Sequence, residues 1–114
     1  MFSNKIGERG RAKFTFQSTS YSNRYRLYVE SPYFNSASSV ECYIWEEGAN
    51  PNESNSRYLH PFKKYNSSSI KYVDNDSRYT DGIIVYKNYL YHFHVYYYYS
   101  STKIYLDEIV FRIK

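Results

Sequence analysis

The segment from Lys103 to Ile113 constrains the fold most, because its apolar residues alternate and then change phase. They fall into two groups of opposite parity, Ile104 and Leu106 in the first and Ile109, Phe111 and Ile113 in the second. Side chains of a β-strand alternate between two faces, so a change of phase at Asp107 and Glu108 requires an irregularity in the strand. The segment therefore predicts a bulged closing strand of a β-domain.

Several other segments alternate in the same way, with apolar and polar residues on opposite parities. They cover residues 12–18, 24–30, 40–47 and 89–99, and shorter strands are expected at residues 57–62, 69–73 and 82–86. Tyrosine alone accounts for 17 positions and aromatic residues for 22% of the chain, a composition that favours strands. No segment predicts a convincing helix.

The polar segments between these strands indicate how the strands connect. The longest are residues 31–39, 48–56 and 74–81, which suit Greek-key crossovers between two sheets. The short Ser100-Ser101-Thr102 connection predicts a hairpin between the last two strands. We therefore predict an all-β fold, an antiparallel two-sheet β-sandwich of the jelly-roll type. A single domain at residues 12–114 would follow an N-terminal extension at residues 1–11.

Charge, cysteine content and hydropathy exclude several kinds of protein. The formal net charge of +4 comes from dispersed lysines and arginines, so a nucleic-acid partner is not expected. Cys42 is the only cysteine, which excludes an intrachain disulfide, and its parity with Val40 and Ile44 predicts a core position. No apolar run is long enough to span a membrane, and residues 1–13 lack the apolar core of a secretory leader, so we expect no export or anchoring signal within these residues. The compartment stays open between the cytosol and a place within a longer secreted or crystal protein.

Two of the predicted strands resemble a known family. Residues 23–29 read Asn-Arg-Tyr-Arg-Leu-Tyr-Val, and residues 103–111 read Lys-Ile-Tyr-Leu-Asp-Glu-Ile-Val-Phe. They resemble two motif strands in the jelly-roll third domain of three-domain insecticidal crystal toxins, although Glu108 stands where the toxins commonly have a basic residue. The closing strand also resembles that of galactose-binding-like carbohydrate-binding modules. The resemblance implies a non-catalytic module in which loop and sheet residues hold sugars or receptor glycans.

Sugar binding has its own physical requirements, and Tyr43 and Trp45 are the residues that meet them best. The C–H face of a pyranose packs on an aromatic ring while polar neighbours bind its hydroxyl groups. Both residues have the parity opposite to that of the apolar residues in 40–44, so they can face solvent. The alternative is that they face the second sheet and contribute to the core.

The tyrosine run at residues 96–99 must divide between the two faces of its strand. The more apolar parity, expected in the core, contains Tyr91, Phe93, Val95 and Tyr97. The opposite parity forms a polar and aromatic strip suited to sugars or to another protein, and it contains His92, His94, Tyr96 and Tyr98. The predicted ligand-binding residues are therefore Tyr43, Trp45, His94, Tyr96 and Tyr98. The alternative is a ladder of cross-strand tyrosine pairs that only stabilises the sheet.

Neither a metal site nor a catalytic site is predicted. His92 and His94 share a face, but a third metal ligand would have to come from His60 or Glu108 through the fold. Asp107 and its neighbour Glu108 point to opposite faces of a strand, which does not suit a pair of catalytic carboxylates.

The modules that the chain resembles imply one cofactor to consider, a structural calcium ion held partly by an Asp of the closing motif. Their partnering Glu-x-Glu is missing here, and only Glu8 lies nearby. We therefore expect Asp107 to be a structural residue that binds loop backbone, with calcium as the alternative, and we predict no cofactor.

Two classes of function remain, and neither is an enzyme. The first is a lectin-like module whose partner is a glycan or a glycoprotein. The second is a protein-binding inhibitor, or a structural, coat-type interaction protein of viral, phage or crystal-protein origin. The first predicts exposed aromatic clusters with a preference for sugars, whereas the second predicts a flat tyrosine patch.

Overall fold

Strands account for nearly all regular structure in the computed structural model of this chain, which describes residues 4–49, 58–59, 70–73 and 83–114. The strands are β1 (Asn4–Ile6), β2 (Lys13–Ser18), β3 (Arg24–Glu30), β4 (Ser39–Glu46), β5 (Tyr58–Leu59), β6 (Ile70–Val73), β7 (Ile83–Ile84), β8 (Leu90–Tyr99) and β9 (Thr102–Arg112). A short 3₁₀ helix at Pro32–Ser36 follows β3. The all-β class predicted from the sequence is confirmed. Most of the predicted loops at residues 48–56 and 74–81 lie outside the described residues.

The strands form two antiparallel sheets. The first sheet has the order β1-β2-β3-β6, with β7 also pairing with β3, and the second has the order β5-β4-β8-β9. β2 and β3 form one hairpin, and β8 and β9 form another with the two-residue turn Ser100-Ser101. The chain passes from one sheet to the other after β3, after β5 and after β7.

The two sheets contact each other through their apolar faces. The ring of Phe14 on β2 lies 5.0 Å from that of Phe93 on β8, and Phe16 lies 4.5 Å from Phe111 on β9, between ring centroids. Tyr97 is partly buried against this core. The fully buried side chains of β2, β3, β4 and β8 are Phe14, Phe16, Leu27, Val29, Val40, Cys42, Ile44, Phe93 and Val95. The apolar residues that alternate with polar ones in the sequence are therefore the residues buried between the sheets. Cys42 occupies the core, as its parity predicts.

β9 contains the bulge that the change of phase predicts. Val95 of β8 lies opposite Asp107, but the next residue, Tyr96, lies opposite Tyr105. Leu106 is therefore the extra residue, and both Leu106 and Asp107 are fully buried. A bulge of this kind lets two consecutive side chains point into the domain.

Residues 4–11 belong to the first sheet and its adjoining loop, although the sequence assigns them to an extension. β1 pairs with β2 along its length. Lys5 donates from Nζ to the carbonyl oxygen of Val110 at 2.8 Å, and the N–H of Glu8 donates to the carbonyl oxygen of Glu108 at 2.8 Å. These contacts join β1 and the loop that follows it to β9 of the second sheet. A three-residue strand is too short to show an alternating pattern.

The predicted loop at residues 31–39 contains the 3₁₀ helix. Ser31 caps it, because the Oγ of Ser31 accepts a hydrogen bond from the N–H of Tyr33 at 3.2 Å. Pro32 occupies the first turn. An N–H group at this position would have no acceptor within the helix, so proline, which lacks the N–H, fits there without loss of a hydrogen bond. The side chain of Phe34 is buried. Within the described ranges, no helix has the length and apolar character needed to cross a membrane.

Candidate functional site

An aromatic and polar surface covers the outer face of the second sheet. It consists of the residues of β4, β8 and β9 whose parity is opposite to that of the core. We call it the aromatic strip, and its ring-bearing members are Tyr43, Trp45, His92, His94, Tyr96, Tyr98 and Tyr105. All of them are partly exposed. The five predicted ligand-binding residues are thus brought together on one face, and Tyr43 and Trp45 do not face the first sheet.

The bulge in β9 determines which residues of that strand belong to the aromatic strip. Tyr105 lies opposite Tyr96, and Glu108 lies opposite His94. In a regular strand, two residues with this spacing would face opposite sides of the sheet, but the extra residue Leu106 places both on the outer face. The hydroxyl of Tyr105 donates a hydrogen bond to the carboxylate of Glu108. The rings of Tyr105 and Tyr96 meet edge to face at 5.3 Å, so the aromatic surface continues across the strands.

Trp45 packs against the two histidines of β8 at one end of the strip. Its indole is stacked on the imidazole of His92, with centroids 5.4 Å apart and planes 9° from parallel. His94 meets the same indole edge-on at 4.6 Å. The Nε2 atom of His92 in turn contacts the carboxylate of Glu47. These contacts hold the indole in one orientation.

At the other end of the strip, tyrosines surround an ion pair between Lys103 and Glu41. The Nζ atom of Lys103 lies 4.6 Å from the ring centroids of both Tyr43 and Tyr96, which is a cation–π arrangement, and 3.3 Å from a carboxylate oxygen of Glu41. The hydroxyl groups of Tyr43 and Tyr98 both donate to Glu41. The side chains at this end are therefore fixed by one another.

These hydrogen bonds also set the protonation states in the strip. Partial burial alone would raise the pKa of Glu41, but hydrogen bonds from Tyr43 and Tyr98 and the charge of Lys103 outweigh it, so that pKa lies below its usual value of 4.5. Partial burial and a hydrogen bond to a carboxylate raise the pKa values of Tyr43 and Tyr105. At neutral pH the Glu41 carboxylate is charged, and both phenols are donors directed at carboxylates.

The loop before β2 brings a cation to the middle of the strip. The guanidinium carbon of Arg9 lies 4.8 Å from the ring centroid of Tyr105. On the same ring, His94 makes an edge contact at 5.7 Å, and its Nε2 lies 3.5 Å from the carboxylate of Glu108. Partial burial lowers the pKa of His94, Glu108 opposes that effect and His92 adds to it. His94 is therefore neutral at pH 7 and offers one ring nitrogen as an acceptor.

Asp107 anchors this loop from the interior. Its carboxylate is fully buried and accepts hydrogen bonds from the backbone N–H groups of Arg9, Arg11, Ala12 and Glu108 at 2.8 to 2.9 Å. Asp107 therefore binds loop backbone. Each carboxylate oxygen receives two N–H groups, which occupy the lone pairs that a calcium ion would need. The structure thus argues against Asp107 as a calcium ligand.

Two glycines allow the loop to approach Asp107. A Cβ atom at Gly7 would lie 2.2 Å from an oxygen of the Asp107 carboxylate, so only glycine fits there. Gly10 has a φ of +70°, in the left-handed region that glycine adopts without strain, and a Cβ there would meet nothing within 4 Å. One glycine therefore provides space, and the other provides a backbone conformation.

Sequence reasoning missed several residues of this surface, among them Glu47, which follows β4 and contacts His92. Glu41, Lys103 and Tyr105 lie on predicted strands, but one charged or aromatic residue on an alternating strand carries no pattern of its own. Arg9 comes from a loop whose place depends on buried backbone contacts. The sequence does contain a signal for the orientation of Tyr105. The change of phase predicts a bulge, and a bulge places residues before and after it on the outer face of the sheet.

The two histidines of the strip contact different carboxylates, His92 that of Glu47 and His94 that of Glu108. Among the residues that the structure describes, no three His, Cys, Asp or Glu side chains are grouped so as to hold a metal ion. His60, which the sequence suggests as a third ligand, lies outside those residues.

Comparisons with known proteins do not assign the chain to a family. No protein-family model, no curated protein and no solved structure matches it.

Proposed function

We propose that this protein is a non-catalytic, lectin-like binding module that recognises carbohydrate, or the glycan of a receptor, through the aromatic strip. The observation that supports this most is the mixture of aromatic rings with carboxylate, imidazole and ammonium groups on one partly exposed sheet face. A pyranose requires both components, because its C–H face packs on a ring while its hydroxyl groups need donors and acceptors beside that ring.

The charges of the strip favour a neutral sugar. The carboxylates of Glu41, Glu47 and Glu108 outnumber the cations Arg9 and Lys103 by one, so the strip disfavours an acidic sugar and suits a neutral one. The carboxylate of Glu108, which accepts a hydrogen bond from Tyr105, keeps lone pairs for sugar hydroxyl groups. Because neighbouring side chains hold these groups in place, a ligand loses little affinity to ordering of the site.

We further propose that the two sheets form a jelly-roll β-sandwich of the galactose-binding-like type. Three features support this: the apolar faces pack on each other, the chain changes sheet after β3, β5 and β7, and the closing strand is bulged around Asp107. In this fold a sheet face and loop ends are both available to a ligand.

A protein partner is the second candidate, and one specific observation favours it. Several tyrosines expose about half of their surface, from 45% to 58%, namely Tyr21, Tyr33, Tyr86, Tyr89 and Tyr99. Exposed tyrosine is typical of protein-binding surfaces, because it supplies contact area with few rotatable bonds. An inhibitor or a coat-type subunit would use tyrosines exposed in this way.

A glycan array followed by titration separates the two candidates. We expect a neutral sugar to bind with a Kd of about 1 mM, and Trp45→Ala to weaken that binding about tenfold through loss of the ring contact. Tyr89→Ala is the matched control, since Tyr89 is an exposed aromatic residue outside the strip. Lack of binding to every sugar at about ten times that concentration would sink the carbohydrate proposal, as would a hit that Trp45→Ala leaves unchanged.

A further inference from the structure

A groove beside the first sheet has the composition of a second binding site. It lies where β1, the loop before β2, the end of β3 and the 3₁₀ helix meet, and its volume is about 390 Å³. Its walls include Ile6, Arg11, Lys13, Glu30, Pro32 and Asn35. A volume of this size accommodates one small ligand. None of these residues belongs to the aromatic strip.

Two cations dominate the charge of this groove. The side chains of Arg11 and Lys13 are exposed, and neither makes an ion pair with any residue that the structure describes. Glu30 lies directly opposite Lys13 in the pairing of β2 with β3 and is the only acid among the described residues that line the groove. Two positive charges against one negative charge favour an anionic group, and a guanidinium matches a carboxylate through two parallel hydrogen bonds.

The backbone beneath these side chains is fixed from both sides. The N–H of Arg11 donates to Asp107 at 2.8 Å, and the carbonyl oxygen of Arg11 accepts a hydrogen bond from the Oγ of Ser31 at 2.8 Å. Ser31 is 1% exposed and also caps the 3₁₀ helix that carries Pro32 and Asn35. Ser31 thus ties the two walls of the groove together, which lowers the ordering cost of binding.

We propose that this groove binds a small hydroxylated carboxylate, of the chemical class of sugar acids. Arg11 and Lys13 bind the carboxylate, and Glu30 and Asn35 hydrogen-bond the hydroxyl groups. Ile6, which is 60% exposed, and Pro32 give apolar surface to the C–H groups of the ligand. The groove is separate from the aromatic strip, so this inference does not depend on the function proposed above.

The test is a titration of the isotope-labelled full chain with D-glucuronate, followed by the NMR shifts of backbone amides. Methyl glucoside is the neutral control, and acetate is the control for a bare anion. We expect glucuronate to shift the amides of residues 10–13 and 31–35 with a Kd of about 1 mM, and both controls to bind much more weakly. Arg11→Ala should weaken glucuronate binding at least about tenfold, because a charge-assisted contact is lost while the backbone N–H remains.

Arg9→Ala is the matched variant, because Arg9 lies in the same loop but against Tyr105. It should leave the glucuronate Kd unchanged, and thermal unfolding checks that both arginine variants fold. The proposal is overturned if glucuronate does not shift these amides, if acetate binds as tightly, or if both arginine variants lose the same affinity. Trp45→Ala alters only the strip and should not change glucuronate binding, so failure of this site and failure of the carbohydrate proposal are distinguishable.

Discussion

Tyr105 and Glu108 point to the same side of the second sheet and share a hydrogen bond, although the spacing between them would separate them in a regular strand. The extra residue between them, Leu106, is the cause. At the same point Leu106 and Asp107 both turn into the interior, one into the core and the other toward the loop before β2. One bulge therefore sets the orientation of side chains both on the outer face and in the interior of the domain.

Replacing Asp107 with asparagine should lower the free energy of unfolding by about 3 kcal/mol, because an amide nitrogen cannot accept the buried N–H groups that one carboxylate oxygen now binds. Chemical denaturation measures the change. Glu108→Gln, at the neighbouring and partly exposed position, is the matched control and should cost less than about 1 kcal/mol. Equal losses in the two variants would contradict the anchoring role of Asp107.

A clash with Asp107 should make Gly7→Ala cost at least about 2 kcal/mol of unfolding free energy. Gly10→Ala should cost about 1 kcal/mol through its backbone conformation alone, since its methyl group meets nothing. In an Asp107→Ala background the cost of Gly7→Ala should nearly vanish, whereas that of Gly10→Ala should persist. Additive effects of Gly7→Ala and Asp107→Ala would show that the two residues do not interact.

His94 should make the domain less stable in mild acid. Partial burial, aided by the charge of His92, holds the pKa of His94 below its usual value of 6.5. The folded protein therefore binds this proton more weakly than the unfolded chain. The unfolding free energy should fall as the pH drops through 6.5 toward the folded pKa.

An NMR titration of the His94 ring should show its midpoint below 6.5. Because Glu108 raises the pKa of His94, Glu108→Gln should move that midpoint further down. Glu30→Gln, on the first sheet, is the control and should leave it in place. A midpoint that rises in Glu108→Gln would refute the electrostatic assignment.

Cys42 should resist thiol reagents until the domain opens. The side chain is fully buried, and burial raises the pKa of its thiol, so little thiolate forms. Labelling rates measured across a urea series should follow the unfolding equilibrium. As a control, Ser101→Cys in a Cys42→Ala background places a thiol in the exposed hairpin turn. This thiol should be labelled rapidly in native buffer, because its reaction does not require unfolding. Comparable labelling rates for the two thiols in native buffer would disprove the burial argument.

The strands were predictable because most of them are buried on one face only. Phe14, Leu27, Cys42 and Phe93 occupy the buried parity of their strands, and the partly exposed residues between them reveal the period. The bulge was predictable for the same reason, since buried positions change parity on passing it. What the alternation could not decide was which ring faces solvent, because tyrosine suits both environments.

The remaining contacts depend on features that residue types do not encode. Asp107 binds backbone N–H groups, which are the same for every residue except proline, so nothing in residues 9–12 marks them as its partners. The contact between Lys103 and Glu41 requires the register across β4, β8 and β9. The register between neighbouring strands therefore determines which charged residue contacts which tyrosine.

The same backbone contacts allow the side chains of the loop before β2 to vary. Asp107 holds this loop through main-chain groups, so the side chains of Glu8, Arg9 and Arg11 can change without loss of its shape. Arg9 faces the aromatic strip, and Arg11 lines the groove beside the first sheet. Exchange at these two positions can therefore alter the chemistry of either surface while the scaffold stays the same, as variable loops do on an antibody framework.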